Sequence, residues 1–142
     1  MSDTREVEAL RAELTARDYR ITKQRMKIVA ELASVRRYVT ARELHARLAR
    51  ARAGVGLATV YRTLETLQAV GAASARPVAR GEMGYLFCPV AHHHHAVCTK
   101  CGKVEDVPCR SAQKFERALE ADLRFRLTRH SLDFFGVCAR CS

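Results

Sequence analysis

The spacing of apolar residues predicts helices over most of the first seventy positions. Leu10 and Leu14 recur with Val7 at helical intervals, so residues 4–17 are expected to form an amphipathic helix. Thr22 is placed to cap a second helix, and the segment that begins at Thr40 has the form of a capping box that starts a third. The first half of the chain is therefore predicted to be a helical bundle.

A fourth helix is predicted over residues 58–69, after a glycine-rich break, with Val60, Leu64 and Leu67 on one face. Two extended runs follow, at residues 72–79 and 84–88, and they are expected to pair as a β-hairpin. Helices followed by a two-stranded wing indicate a winged helix-turn-helix, whose recognition helix enters the major groove of DNA.

The remainder of the chain has the pattern of a small α/β unit. Residues 94–99 and 103–107 are expected to form a hairpin, and Ser111 is placed to cap a helix. The alternation over residues 128–137 then predicts a final strand. The fold class is therefore α+β, a winged helix-turn-helix followed by a small α/β domain.

This second part of the chain contains two Cys-x-x-Cys pairs, Cys98 with Cys101 and Cys138 with Cys141. Four thiolates supplied as two short turns suit a tetrahedral zinc ion in a structural site. Disulfides or a redox motif are the alternatives. The first twenty residues are polar and charged rather than a signal peptide, which favours the reducing cytosol, a cytoplasmic location and a metal.

Charge is distributed unevenly between the two halves of the chain. Residues 1–80 hold 16 Lys and Arg against 8 Asp and Glu, whereas residues 81–142 hold 9 against 7 and contain all six cysteines. A basic first half favours a nucleic-acid partner, although an arginine-rich surface alone would have the same charge. The sequence has no apolar run of eighteen residues, so no membrane partner is expected.

Four segments together resemble the ferric uptake regulator (Fur) family of bacterial metal-dependent repressors. They are residues 20–25 (RITKQR), 41–45 (ARELH), 56–64 (GLATVYRTL) and 92–102 (HHHHAVCTKCG). The resemblance implies a homodimer that binds a pseudo-palindromic, double-stranded DNA operator when metal is bound, with no small-molecule substrate.

The resemblance also implies a division into domains. The DNA-binding domain is expected at residues 1–84, a hinge at 85–90, and the dimerisation and metal-binding domain at 91–142. Within the first domain, Tyr61 and Thr59 are expected near base edges, while Arg62, Arg20 and Lys23 are expected to meet phosphates.

A regulatory metal site between hinge and dimerisation domain is a further implication. Its expected ligands are Cys88, His93, His95 and, provisionally, Asp106. Zinc-sensing members often have a carboxylate or histidine at the position of Ser74, and serine is a poor zinc ligand. Asp106 matches a carboxylate used by other branches of the family, so it is taken as the fourth ligand, with water or Ser74 as substitutes.

A third metal site is implied with less complete ligands. The expected residues are His92, His94 and His130, and the family's helix glutamate is replaced by Gln113, with Glu116 one turn later. Cys109, unpaired by spacing, is interpreted as a structural thiol, with a redox-active thiol as the alternative.

A thiolate at Cys88 favours zinc, because iron and manganese sites are usually built from nitrogen and oxygen ligands. The sequence is therefore most similar to the zinc uptake regulator (Zur) branch, a repressor of metal uptake genes. An iron- or manganese-responsive (Fe²⁺, Mn²⁺) repressor and a peroxide-sensing regulator are the alternatives. A zinc hydrolase is not expected, since no His-Glu-x-x-His arrangement supplies a general base, and scattered aromatics disfavour a single-stranded RNA binder.

Overall fold

The computed structural model describes residues 2–88 and 93–142, with side chains from residue 4 onwards. The chain divides into two compact units, residues 1–91 and residues 92–142, which are considered separately below. Of the hinge expected at residues 85–90, the first three residues continue a strand of the first unit, and residues 89 and 90 lie outside the described residues.

The first unit is a helical bundle with a small antiparallel sheet. The elements are α1 (Ser2–Ala16), α2 (Lys23–Ser34), β1 (Val39–Thr40), α3 (Ala41–Arg50), α4 (Leu57–Ala69), β2 (Ala73–Pro77) and β3 (Met83–Phe87). In the sheet, β1 and β2 lie on either side of β3. This order confirms the winged helix-turn-helix, and β1 adds a short third strand to the predicted hairpin.

The predicted helix starts are present. The Thr22 hydroxyl accepts a hydrogen bond from the Arg25 amide at 3.1 Å, and the Thr40 hydroxyl accepts one from the Glu43 amide at 3.1 Å. Both satisfy backbone donors that a helix start leaves without a carbonyl partner. The Glu43 carboxylate accepts a hydrogen bond from the Arg37 guanidinium, which joins the start of α3 to the segment before β1.

The core of the first unit is formed by the apolar faces of its helices. Leucines at helical spacing on α1, α3 and α4 are fully or almost fully buried against Ile28 and Val29 of α2, and they are Leu10, Leu14, Leu44, Leu48, Leu64 and Leu67. Burial of one such side chain stabilises the folded state by about 1.5–3 kcal/mol. The packing fixes α4 so that its polar face points to solvent.

The second unit contains β4 (His93–Cys98), β5 (Val104–Pro108), α5 (Gln113–Leu123) and β6 (Asp133–Gly136). In its sheet β4 is central, antiparallel to β5 and parallel to β6.

Two details of the second unit differ from the sequence prediction. Ser111 ends a turn of 3-10 helix and α5 starts two residues later, with Ala112 at its N-cap and no side-chain cap bond. The final strand is four residues long rather than the ten predicted at 128–137, because its pairing with β4 spans only Asp133 to Gly136, opposite His95 to Cys98.

Several large apolar side chains of the second unit are exposed. Phe134 and Phe135 of β6 are 49% and 56% exposed, and the others are Phe115, Leu123, Phe125 and Val137. Exposed apolar groups at this density are typical of a surface that a partner covers. Within the described part of the chain, no helix combines the length and the apolar character needed to cross a membrane.

Candidate metal centres and nucleic-acid interface

The four cysteines of the two Cys-x-x-Cys pairs come together at the end of β4. Their sulfur atoms all lie within 4.8 Å of one another, and the Cys101 and Cys138 sulfurs are 3.8 Å apart. Four sulfurs at about 2.3 Å from one tetrahedral zinc are separated by about 3.8 Å. A disulfide would need about 2.0 Å between two sulfurs, and no two of the six cysteines are joined in this way. The sulfur separations are those of a tetrahedral zinc site rather than of a disulfide.

Backbone groups shape each cysteine turn. Gly102 adopts a left-handed conformation (φ +73°) and donates a hydrogen bond to the Cys98 carbonyl at 2.9 Å, which closes the first turn. The Cys138 amide donates to the Cys98 sulfur at 3.4 Å, and the Thr99 amide donates to the Gly136 carbonyl. The four-cysteine site thereby joins the end of β4 to the end of β6.

The same amides favour a thiolate at Cys98. Hydrogen bonds from the backbone of Cys138 and Cys101 lower the pKa of the Cys98 thiol to about 6, while the neighbouring sulfurs of Cys138 and Cys101 raise the pKa of the Cys141 thiol to about 12. Cys98 is therefore mainly a thiolate near neutral pH, and a metal ion held by the four sulfurs would displace the remaining protons.

A second cluster lies on one face of β4. His93 and His95 point the same way because alternate residues of a strand share a face, and their Nε2 atoms are 3.1 Å apart. Asp106 of β5 lies opposite His95, with its Oδ1 3.7 Å from His93 Nε2. Two imidazoles and a carboxylate from the predicted regulatory set therefore meet within the second unit.

Sequence reasoning missed a second carboxylate in this cluster. Asp133 lies opposite His95 in the parallel pairing of β6 with β4, and its Oδ1 is 3.4 Å from His95 Nδ1. Burial lowers the pKa of His95, so the ring is kept in the neutral form that can bind a metal. The position of Asp133 depends on the register of β6, which the sequence pattern did not supply.

Two predicted regulatory residues belong to the first unit. Cys88 is buried just after β3, where its amide donates to the Ala72 carbonyl at 3.0 Å and its sulfur lies 3.7 Å from the Leu86 carbonyl. The Ser74 hydroxyl is hydrogen-bonded to the Tyr38 hydroxyl at 3.0 Å. Ser74 therefore has a local structural role within this unit.

A third cluster lies on the other face of β4. His94 Nε2 is 2.9 Å from His130 Nε2, and the Cys109 sulfur is 3.4 Å from the same His130 nitrogen. The Glu116 carboxylate of α5 lies within hydrogen-bonding distance of His130 Nδ1. The structure thus brings together His94 and His130 of the predicted third site.

The remaining members of the third site differ from the expected set. Gln113 lines the cleft beside Glu116 and His130, and His92 lies outside the described residues. Cys109, interpreted from the sequence as a structural thiol, has its sulfur within the cluster. The signal that could have found it is the register of β5, in which Val107 lies opposite His94 and Cys109 follows two residues later.

The recognition helix α4 presents polar side chains to solvent. Tyr61 is 40% exposed, Arg62 is exposed, and Thr59 is half-buried with its hydroxyl 3.5 Å from the Arg62 guanidinium. Arg20 and Lys23, around the start of α2, are also exposed. These cationic groups and the α4 face have the chemistry for contacts with phosphates and base edges.

Helix α2 is held against α4 from the same region. The Arg25 guanidinium donates to the Arg20 carbonyl and lies 3.5 Å from the Thr66 hydroxyl of α4. Arg25 is therefore a positioning residue in the first unit, in contrast to the exposed Arg20 and Lys23.

Comparison with known proteins identifies relatives along almost the whole chain. The model of the Ferric uptake regulator family matches residues 16–135. The Legionella pneumophila ferric uptake regulation protein is 32% identical over 86% of this chain and 90% of its own length. The Mycobacterium tuberculosis zinc uptake regulation protein is 32% identical over 90% of this chain and 98% of its own.

A solved structure agrees with both units. The Vibrio cholerae ferric uptake regulator superposes with a TM-score of 0.66 at 28% identity, covering 88% of this chain and 96% of that one. With the winged helix, the four-cysteine cluster and the two histidine clusters described above, these matches leave one assignment. The chain belongs to the ferric uptake regulator family and is a metal-responsive, DNA-binding transcription regulator, not an enzyme.

Proposed function

We propose that this protein is a zinc-responsive repressor of metal uptake genes that binds a DNA operator as a homodimer. The observation that carries the proposal is the meeting of His93 and His95 on one face of β4, with their Nε2 atoms 3.1 Å apart. Neutral imidazole is a zinc ligand, and a carboxylate beside each ring either binds the metal or orients the ring.

The preference for zinc rests on Cys88. Its thiol lies five residues before His93 in the sequence, so the chain tether limits their backbone separation to about 18 Å. A thiolate added to two imidazoles and one carboxylate makes a tetrahedral set that suits zinc better than iron or manganese. We assign Cys88, His93, His95 and Asp106 as ligands, with Asp133 as the residue that orients His95.

The DNA partner is supported by the first unit. Residues 1–80 hold 16 Lys and Arg against 8 Asp and Glu, and α4 exposes Tyr61 and Arg62. Phosphate contacts by several cations make binding strongly salt-dependent. Tyr61 and Thr59 would meet base edges, and Arg62, Arg20 and Lys23 would meet phosphates.

The homodimer is supported by the exposed apolar side chains of the second unit. Phe134 and Phe135 lie on β6, which is at the edge of its sheet. A second copy that covers this edge would bury aromatic surface and provide hydrogen-bond partners for the backbone of the edge strand. Two winged helices held in this way would match the two halves of a pseudo-palindromic operator.

For zinc to regulate DNA binding, the conformation that binds the operator must hold zinc more tightly than conformations that do not bind it. A 100-fold preference would shift the operator affinity by a coupling free energy of about 2.7 kcal/mol. In this scheme Cys88 and the ligands of the second unit bind the same ion. The bound ion would then restrict the distance between the two recognition helices of the dimer.

The second candidate function is an iron- or manganese-responsive repressor, including the peroxide-sensing type. One observation favours it, since the described ligands of the second unit are two imidazoles and two carboxylates, an all-nitrogen-and-oxygen set.

The test is a metal titration of operator binding. A duplex selected from a random library with the zinc-loaded protein serves as operator, and binding is followed by fluorescence anisotropy at buffered free Zn²⁺, Fe²⁺ and Mn²⁺. The proposal expects half-maximal binding at a lower free concentration of Zn²⁺ than of Fe²⁺ or Mn²⁺, and a loss of the zinc response in Cys88→Ser. A response to Fe²⁺ or Mn²⁺ at a lower free concentration than to Zn²⁺ would favour the second candidate. An unaltered zinc response in Cys88→Ser would show that Cys88 is not a ligand of the regulatory metal.

A further inference from the structure

The second face of β4 carries a cluster with a composition that the sequence did not indicate. His94, Cys109 and His130 contribute one donor atom each, and these atoms lie within 4.8 Å of one another. They come from three segments of the second unit, namely β4, the turn after β5 and the segment before β6. His94 is only 2% exposed, so the cluster reaches into the interior of the unit.

We propose that Cys109 completes the third site in this chain, so that His94, Cys109 and His130 hold a zinc-class ion with the Cys109 thiolate as a ligand in place of Gln113. The proposal goes beyond the zinc-responsive function, because the site shares no donor with the His93 and His95 cluster. Binding would replace the thiol proton of Cys109, which passes to solvent.

The distances are close to those of a tetrahedral metal. Two nitrogens at about 2.05 Å and a sulfur at about 2.3 Å from one ion would be separated by about 3.3 Å (N–N) and about 3.6 Å (N–S). The observed separations are 2.9 Å between the His94 and His130 Nε2 atoms and 3.4 Å from the Cys109 sulfur to His130 Nε2. An opening of a few tenths of an ångström would accommodate the ion.

Glu116 supports the same reading as a positioning residue. Its carboxylate pairs with His130 Nδ1, so the Nδ1 proton is held there and the Nε2 lone pair faces His94 and Cys109. Carboxylate–histidine–metal arrangements of this kind orient the ring and raise its basicity as a ligand.

The presence of a thiolate defines the class of ion. Thiolate and imidazole together suit zinc, whereas manganese and magnesium prefer oxygen ligands. Gln113 offers a neutral amide oxygen, a weaker zinc ligand than a thiolate, and it lines the neighbouring cleft with Glu116 and His130. The site therefore depends on Cys109, and Gln113 is the matched control.

The experiment measures zinc per chain in the full-length protein after equilibration with a competing chelator. We expect Cys109→Ser to hold one zinc fewer than wild type, and Gln113→Ala to hold the wild-type number. Glu116→Gln should retain the stoichiometry with an affinity about 10–100-fold lower at this site. Wild-type zinc content in Cys109→Ser, or loss of a zinc in Gln113→Ala, would overturn the proposal.

A second measurement covers the case in which Cys109→Ser disturbs folding. Thiol alkylation of the intact wild-type chain, resolved by peptide mass spectrometry, should be about tenfold slower at Cys109 with zinc than without it. His130→Gln should abolish this protection, while His45→Gln on α3 should preserve it. Equal alkylation of Cys109 with and without zinc would refute the site. This outcome is separate from the proposed function, which is tested by the zinc response of operator binding.

Discussion

Asp133 lies opposite His95 in the parallel pairing of β6 with β4, and its Oδ1 is 3.4 Å from His95 Nδ1. The contact joins the last strand of the second unit to a ligand of the proposed regulatory site. A carboxylate at this position holds the Nδ1 proton and leaves Nε2 to face His93.

Replacing this carboxylate should weaken zinc binding without removing a ligand. We expect Asp133→Asn to lower the affinity of the regulatory site about 10–100-fold, because a neutral amide makes His95 a less basic ligand than the carboxylate does. Competition with a fluorescent zinc chelator measures the effect. Asp122→Asn, an exposed carboxylate on α5, is the matched control, and an equal loss in both variants would show that Asp133 acts only through overall charge.

The four-cysteine site should determine the stability of the second unit. Structural zinc contributes directly to folding free energy, and here it would join the turn after β4 to the turn after β6. We expect a strong chelator, or Cys138→Ser, to abolish the cooperative unfolding of this unit while the helical first unit still melts. Circular dichroism with heating measures both transitions.

Cys88→Ser is the control for that experiment, since Cys88 belongs to the first unit. It should leave the transition of the second unit in place. A transition that survives both the chelator and Cys138→Ser would show that the four-cysteine zinc does not stabilise this unit.

Arg62 should contribute to DNA affinity without selecting sequence. An exposed guanidinium on α4 that meets a phosphate releases a condensed counterion, so Arg62→Ala should weaken binding to all duplexes and reduce the salt slope by about 1. Anisotropy titrations at several salt concentrations check this. Arg126→Ala, an exposed arginine of the second unit, should leave the slope unchanged, and an unchanged slope in Arg62→Ala would remove Arg62 from the interface.

The pair formed by Arg37 and Glu43 should make the free energy of unfolding depend on pH in the acidic range. The hydrogen bond from Arg37 holds the pKa of the Glu43 carboxyl below its usual value of 4.5. Because the folded pKa is the lower one, the stabilisation is complete above the unfolded pKa and is lost as pH falls through the folded pKa.

Both side chains of this pair are more than a third exposed, so the effect is small. We expect Glu43→Gln to cost about 0.2–1 kcal/mol at pH 7 and nothing at a pH where wild-type Glu43 is protonated. Urea unfolding of wild type and variant at both pH values measures it. An equal cost at both values would assign the loss to packing instead of charge.

The sequence predicted the first unit well because its signals are local. Thr22 and Thr40 cap the helices that follow them, and the leucines of α1, α3 and α4 recur at the helical period and are buried. The four-cysteine site was likewise predictable, since each Cys-x-x-Cys pair places two sulfurs on one turn and the two pairs together supply four ligands.

The second unit was less predictable because its contacts depend on strand register. Asp133 reaches His95 only through parallel pairing, and Cys109 reaches His130 across 21 residues. Neither pairing follows from spacing along the chain. The strand predicted at 128–137 was too long for the same reason, since alternation records the pattern of side chains but not how far a neighbouring strand extends.

Strand β4 places adjacent histidines in different clusters, since His93 and His95 occupy one face and His94 the other. A slip of a single residue in its pairing would send each imidazole to the opposite side of the sheet. Inserting or deleting one amino acid between His92 and Cys98 would thus scramble both histidine sets at once, whereas substitutions could alter either set alone. Evolution can therefore change the two histidine clusters separately only while the length of this strand is conserved.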